Sequence, residues 1–340
     1  MAVVETAAEL PVLLVYGVDP SWSAAEQEEA DRETRRLGCA LRRQGYSVSL
    51  VPVHNSDLRG ALSAYNPLEV LVFNWCEALP GLNRSEALAA KTLELLRFTY
   101  TGATPRTLAL SYDKGRVKRR LEARGISTPK WRLLTDTDTT GWDCFPAIVK
   151  PAHEHCSTGV DQGAVVSDAT ELQQRTAYVL DTLHQPALVE DFIDGREFHV
   201  PLWGNREPEM LPPVEMDFSY FDDIHDRLCS HEAKFVPESR AYQKIKSFVP
   251  ARLTPEEMAQ LEAVSKAAYL ALECRDYGRI DVRMRDGVFY VIDINPNADI
   301  SADASVALAA GKAGYCYGKL GSRVLEFAAA RHPQNLPPHQ

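Results

Sequence analysis

Apolar positions along this chain recur with two different periods, and the switches between them divide it into elements. Val12 to Tyr16 is a short apolar run that reads as a strand, and a charged stretch from about Ser23 to Gln44 reads as a helix. Ser47 to Val53 then closes a β-α-β unit, Leu68 to Asn74 gives another apolar strand, and Glu86 to Leu96 another helix. This alternation predicts a small doubly wound parallel sheet over residues 1–106. No G-x-G-x-x-G follows any of its strands, so a dinucleotide cradle is not expected there.

The pattern changes after Thr107. Helix (Ser111 to Arg124), strand (Ala147 to Lys150), helix (Ala169 to Leu183) and strand (Ala187 to Glu190) suggest a separate small lobe over 107–190. A third lobe follows over 191–330, with strands, an irregular polar stretch from Glu215 to Pro250, and a long helix from Thr254 to Leu272. Thr254 and Glu257 form a capping box there, with Pro255 at the first helical position. The last ten residues, RHPQNLPPHQ, read as a frayed tail.

The most informative stretch is Tyr277 to Asn295, whose two alternating runs flank Arg285-Asp286-Gly287. A three-residue turn with Gly287 left-handed would set Ile280 against Ile292, Val282 against Tyr290 and Met284 against Val288. The other face would carry Arg279, Asp281, Arg283, Asp293 and Asn295, with Arg279 directly across from Asp293. Carboxylates and a carboxamide gathered on one sheet face are hard oxygen ligands, suited to Mg²⁺ carrying nucleotide phosphates. An arginine beside them could hold a transferring phosphoryl group. In isolation the same pattern is equally an exposed sheet face with ordinary cross-strand ion pairs.

Composition narrows the field. A formal charge of -10 argues against a phosphate-neutralising surface and so against nucleic acid as partner. The seven cysteines are odd in number, scattered and without a C-x-x-C pair, which fits reduced thiols in a cytoplasmic protein. Neither a basic leader before a long apolar run nor about 18 consecutive uncharged apolar residues occurs, so no membrane partner is expected.

Five motifs between Asp113 and Asp303 stand in an order that resembles ATP-grasp enzymes of the D-alanine:D-alanine ligase type. They are DKGRVKRRLEARGISTPKW at Asp113, FPAIVKPAHEHCSTGV ending at Val160, LVEDFIDGRE from Leu188, Glu232-Ala233-Lys234-Phe235, and Gly278-Arg279-Ile280-Asp281 with Asp293-Ile294-Asn295-Pro296. The resemblance implies an α/β ATP-grasp fold, in which an N-terminal doubly wound lobe and two α+β lobes enclose ATP. It implies that Lys114 and Lys150 meet nucleotide phosphates, with Ser157 and Gly159 in the loop that closes over them. Glu190, Asp191 and Ile193 would meet adenine, and Glu197 the ribose. Asp281, Asp293 and Asn295 would hold Mg²⁺, or Mn²⁺ in its place. Arg279, Lys234 and Ser157 would be catalytic.

The chain departs from the family pattern in two places, with His155 and Cys156 at the start of the phosphate loop and Asp293 where the family has Glu. The N-terminal lobe matches more loosely, through Phe73-Asn74-Trp75-Cys76-Glu77 and Tyr100-Thr101-Gly102. Glu77 in that lobe and Asp303 beyond Asn295 are the substrate candidates. After Asn295 the family carries small and hydroxylated residues, whereas this chain brings in Asp299 and Asp303, which favour a substrate with a cationic or amide-bearing end over D-alanine.

The implied reaction joins a small-molecule carboxylate to an amine through an acyl phosphate, releasing ADP and phosphate, with a homodimer left open. Two alternatives stand beside it. One is an ATP-dependent phosphotransferase or carboxyl-activating enzyme that uses no amine, and the other is a non-catalytic ATP-binding regulatory protein.

Overall fold

The computed structural model describes residues 10–155, 157–230, 232–233, 236 and 238–335. The first lobe contains β1 (Val12–Gly17), α1 (Ala24–Arg42), β2 (Val48–Val53), α2 (Leu58–Leu62), β3 (Leu71–Trp75), α3 (Glu86–Leu95) and β4 (Thr99–Tyr100). Its four strands are parallel in the order β2-β1-β3-β4, the doubly wound sheet that the alternation predicts. Helix α1 starts where it does because Ser23 accepts from the Glu26 amide and the Glu26 carboxylate accepts from the Ser23 amide.

The second lobe begins with α4 (Pro105–Ser111) and α5 (Lys114–Glu122) in place of the single helix expected over Ser111 to Arg124. Asp113 leaves the helical region and accepts from the Arg116 amide at 2.9 Å, so the chain restarts as a new helix with Lys114 in its first turn. Four antiparallel strands follow, β5 (Trp131–Leu134), β6 (Ala147–Pro151), β7 (Val165–Val166) and, after α6 (Ala169–Thr182), β8 (Ala187–Asp191), in the order β5-β8-β6-β7. Strands β5 and β7 have four and two residues, too few for a period to show in the sequence.

The third lobe is built on β9 (Arg196–Trp203), β10 (Glu209–Met210), β11 (Val214–Asp217) and, beyond α7 (Arg240–Lys244), β12 (Lys246–Phe248). Helix α8 (Pro255–Ala271) carries the anticipated capping box of Thr254 and Glu257. It packs on β13 (Tyr277–Arg285) and β14 (Val288–Asn295), and the antiparallel sheet runs β12-β11-β9-β13-β14 with β10 on β9. Helices α9 (Ser305–Lys312) and α10 (Tyr317–Ala329) then return the chain to the first lobe. Val324 and Leu325 of α10 share one buried cluster with Leu37 and Leu41 of α1 and with Trp203 and Tyr277 of the third sheet. That common core fixes the first sheet against the third, and the ends of their strands meet at one cleft.

The β13–β14 register departs from the expectation. Asp286 and Gly287 both have positive φ, 54° and 76°, and Arg285 pairs with Val288, so the turn has two residues rather than three. Such a turn would set Asp281 against Ile292, but an irregularity between Asp281 and Val282 shifts the pairing by one and brings Asp281 opposite Asp293. Arg279 consequently faces Asn295, not Asp293. The bulge also redistributes the apolar residues. Phe289, Val291 and Ile294 enter the core with Ile280 and Val282, while Ile292 turns to the cleft. The polar face keeps its expected members.

Candidate active site

A cleft of about 720 Å³ opens where the three lobes meet. Lys114, Lys150, Ser157, Glu190, Asp191, Ile193, Glu197, Arg279, Asp281, Asp293 and Asn295 all line it, as do Glu77 and Asp303. Gly159 stands behind the lining, with φ at +73°. A Cβ there would come within 2.8 Å of Leu183 and 3.1 Å of Pro151, so the loop turns tightly over the end of β6 because this position lacks a side chain. Ser157, itself at φ 59°, donates its hydroxyl to the Cys229 carbonyl at 2.8 Å and ties this loop to the third lobe. Lys234 and Cys156 lie outside the described residues.

The lysines arrive from two elements. Lys150 leaves β6 with its side chain partly buried, not exposed as the end of a strand would suggest, and its Nζ lies 2.5 Å from the Glu190 carboxylate. On the other side of the same carboxylate sits Lys118, 2 % exposed and one helical turn beyond Lys114. Glu190, 1 % exposed, is therefore clamped between two ammonium groups. Burial alone would raise its pKa, but the two lysines bring it below the ordinary value. Asp191 donates its amide to the Lys130 carbonyl at 2.8 Å, and its carboxylate is held by Arg285 at 2.5 and 3.0 Å.

On the face of the third sheet, Arg279 holds Asp281 in a two-point contact at 2.6 and 2.9 Å, and the Asn295 amide donates to the same carboxylate at 3.1 Å. Asp293 is met by Lys114, whose Nζ lies 3.1 Å from one oxygen and 3.2 Å from the other. The donor set suits a hard divalent cation. Two carboxylates paired directly across β13 and β14 sit beside a carboxamide whose NH₂ is turned to Asp281. Deeper in the sheet, Glu197 is held by Arg283 at 2.6 Å and lies 3.5 Å from His199 Nε2. Arg283 also donates to the Ile193 carbonyl at 3.0 Å and lies 4.7 Å from the centre of the Phe192 ring.

A sequence profile described as D-ala D-ala ligase C-terminus matches residues 121–326. The chain belongs to this ligase family. The Sinorhizobium fredii protein y4sG, itself uncharacterized, is 35% identical over 264 residues, 77% of this chain and 75% of that one. A D-alanine–D-alanine ligase of Halorhodospira halophila is 29% identical over 310 residues, covering 89% of this chain and 92% of its own. Among solved structures, D-alanine–D-alanine ligase from Bacillus anthracis complexed with ATP superposes with a TM-score of 0.74 at 20% identity. It covers 96% of this chain and 100% of that one, and so establishes the ATP-grasp fold.

Lys118, His199 and Glu86 were not singled out from the sequence, although for the first two a periodicity was there to find them. Lys118 is four residues after Lys114 and so on the same helix face. His199 follows Glu197 by two along β9, which puts the pair on one sheet face, just as Arg283, expected on the polar face, follows Asp281 along β13. Glu86 lines the cleft beside Glu77, as does Asp299, which the stretch after Asn295 had already brought forward.

Proposed function

We propose that this chain is an ATP-dependent carboxylate–amine ligase, in which a carboxylate takes the γ-phosphoryl group of ATP and an amine then displaces phosphate from the acyl phosphate. The observation that carries the reading is the order of charges along the cleft. Lys114, Lys150 and Arg279, each already facing a carboxylate, stand beside a cluster of oxygen ligands on the β13–β14 face. Binding a nucleotide would not of itself call for an arginine and two carboxylates placed where the γ-phosphate would lie, which disfavours a purely regulatory ATP-binding role.

In this reading Asp281, Asp293 and Asn295 hold Mg²⁺, which when bound neutralises charge on the phosphates. The chain's own residues position and neutralise. Lys150 and Lys114 exchange their carboxylate partners for phosphate oxygens, and Arg279 stays fixed by Asp281 while its remaining donors face the transferring group. Ile148, Phe192 and Ile292 give the base an apolar slot. Glu197, set in place by Arg283, accepts from the ribose hydroxyls. Ser157 and Gly159 bring loop amides over the phosphates.

The lobes 1–106, 107–190 and 191–330 would close on the nucleotide as three units. No helix among the described residues is long and apolar enough to cross a membrane, and a cytoplasmic location is part of the proposal.

The deciding experiment measures ADP release over a panel of amino acids, dipeptides and amines, with mass spectrometry of the products. Hydroxylamine in place of the amine should give a hydroxamate. ADP formation without hydroxamate, under conditions that trap a known ligase intermediate, would favour a phosphotransferase instead.

A further inference from the structure

Donor atoms of Glu197, His199 and Cys229 all lie within 4.8 Å of one another, and all three residues line the cleft. Glu197 and His199 stand two apart on β9 and share one sheet face, whereas Cys229 comes from the stretch between β11 and α7. We propose that these three side chains form a second metal site, for a borderline-soft divalent cation of the Zn²⁺ class, distinct from the proposed Mg²⁺ ligands on β13 and β14. On the nucleotide reading above, a cation there takes the Glu197 carboxylate away from the ribose hydroxyls, so its binding and that of ATP exclude one another.

The donor atoms separate the two sites. Asp281, Asp293 and Asn295 offer oxygen alone, which suits a hard ion, while an imidazole, a thiol and one carboxylate oxygen match the nitrogen, sulfur and oxygen ligands of zinc. Spacing points the same way. His199 Nε2 lies 3.5 Å from Glu197 Oε1. That is longer than an ordinary N–H···O hydrogen bond, yet close to the edge of about 3.4 Å in a tetrahedron whose metal bonds are about 2.1 Å. An edge that ends on a thiolate is about 3.6 Å, so Cys229 Sγ needs to move inward by about 1 Å, a shift that a partly buried side chain on the cleft wall can make. The thiol gives up its proton to solvent as the sulfur–metal bond forms.

Each ligand is also held from behind. His199 is 4 % exposed, and its Nδ1 lies 2.8 Å from the Ser305 hydroxyl. With that nitrogen protonated and donating to Ser305, the lone pair of Nε2 faces Glu197 and is ready for a metal. Glu197 is equally buried and gives Oε2 to Arg283 at 2.6 Å, which leaves Oε1 for coordination. Arg283 donates in addition to the Arg227 carbonyl, two residues before Cys229. Leu228 is buried in a cluster with Val165 and Phe192, and the Cys229 carbonyl accepts from Ser157. The chain is thus pinned around the thiol, and one arginine steadies both Glu197 and the backbone that carries Cys229. An ordinary ion pair accounts for Glu197 with Arg283, but it gives no reason for an imidazole and a thiol to converge on the same carboxylate.

The test uses Co²⁺, a spectroscopic substitute for Zn²⁺, on the full chain with its thiols reduced and no nucleotide present. Co²⁺ should give a thiolate-to-metal charge-transfer band with the strong visible absorption of tetrahedral coordination. Zn²⁺ should abolish the band, and a large excess of Mg²⁺ should leave it. Cys229→Ala should remove it while circular dichroism stays native, and Cys229→Ser is the second variant should that one fail to fold. Ser305→Ala keeps all three ligands and should weaken Co²⁺ binding about 10- to 100-fold, the usual effect of losing a partner that orients a ligating histidine. With free Zn²⁺ fixed by a metal buffer and ATP saturated with Mg²⁺, Zn²⁺ should raise the apparent Kd for ATP at least tenfold in the parent chain and not in the Cys229 variant. No charge-transfer band, a band that Mg²⁺ removes, one that persists without the Cys229 thiol, or a Co²⁺ affinity unmoved by Ser305→Ala would overturn the proposal. A Cys229-dependent band with no effect of Zn²⁺ on ATP binding would leave the metal site standing and count against the placing of the ribose on Glu197.

Discussion

Lys114 at the start of α5 reaches across to β14 and places its Nζ 3.1 and 3.2 Å from the two oxygens of Asp293. This contact joins the second lobe to the third through a proposed metal ligand. Burial would raise the pKa of Asp293, yet Lys114, His155 and Lys150 hold the carboxyl well below the usual range, so it stays ionised at any pH where the protein works. Asp293→Asn should lower turnover by at least about 100-fold, because a hard anionic ligand becomes a neutral one. ATP binding should change far less, since the lysines and the apolar slot remain. Steady-state kinetics beside nucleotide titration will check this, and near-normal turnover at ordinary Mg²⁺ would remove Asp293 from the metal site.

The clamp on Glu190 predicts that its two lysines are not equivalent. Lys150 faces the cleft, whereas Lys118 is almost fully buried and also donates to Thr128 at 2.6 Å. Lys150→Ala should raise the ATP requirement about 10- to 100-fold, the worth of one charge-assisted contact, with little change in melting temperature because Lys118 still pairs with Glu190. Lys118→Met should do the reverse, costing about 3 kcal/mol of stability for a half-broken buried pair while affecting ATP less. Urea denaturation and ATP kinetics on both variants will separate the roles. Equal stability loss in the two would mean that Lys150 is structural.

What the sequence made legible follows the same physics. Elements with a long period, such as β1, α1, α8 and the β13–β14 hairpin, could be placed to within a few residues, and the polar face of that hairpin was right although its register was not. The error came from a bulge beside Asp281 that alternation cannot encode, since inward and outward sets on either side of it each look regular. The split between α4 and α5 hid in Asp113, which reads as a helix residue until its side chain is seen to cap. Glu190 was assigned to adenine on a resemblance. Its two lysine partners depend on how α5 meets β6 and β8, a tertiary relation that no local pattern carries.

His155 makes a prediction for stability against pH. The imidazole packs edge-on against Tyr112 at 4.2 Å and lies 3.3 Å from the Ser111 hydroxyl. Burial first and Lys114 second push its pKa down to about 4, with Asp293 opposing. Above the ordinary histidine value the ring is neutral in both folded and unfolded chains and contributes nothing. As pH falls from about 6.5 to about 4 the unfolded chain takes a proton that the folded one refuses, so stability is lost there with a slope of up to about 1.4 kcal/mol per pH unit. Urea denaturation at pH 7, 6 and 5 should show a shallower slope for His155→Gln. His332, also lowered by burial, keeps its share in both proteins. Parallel slopes would place His155 in solvent.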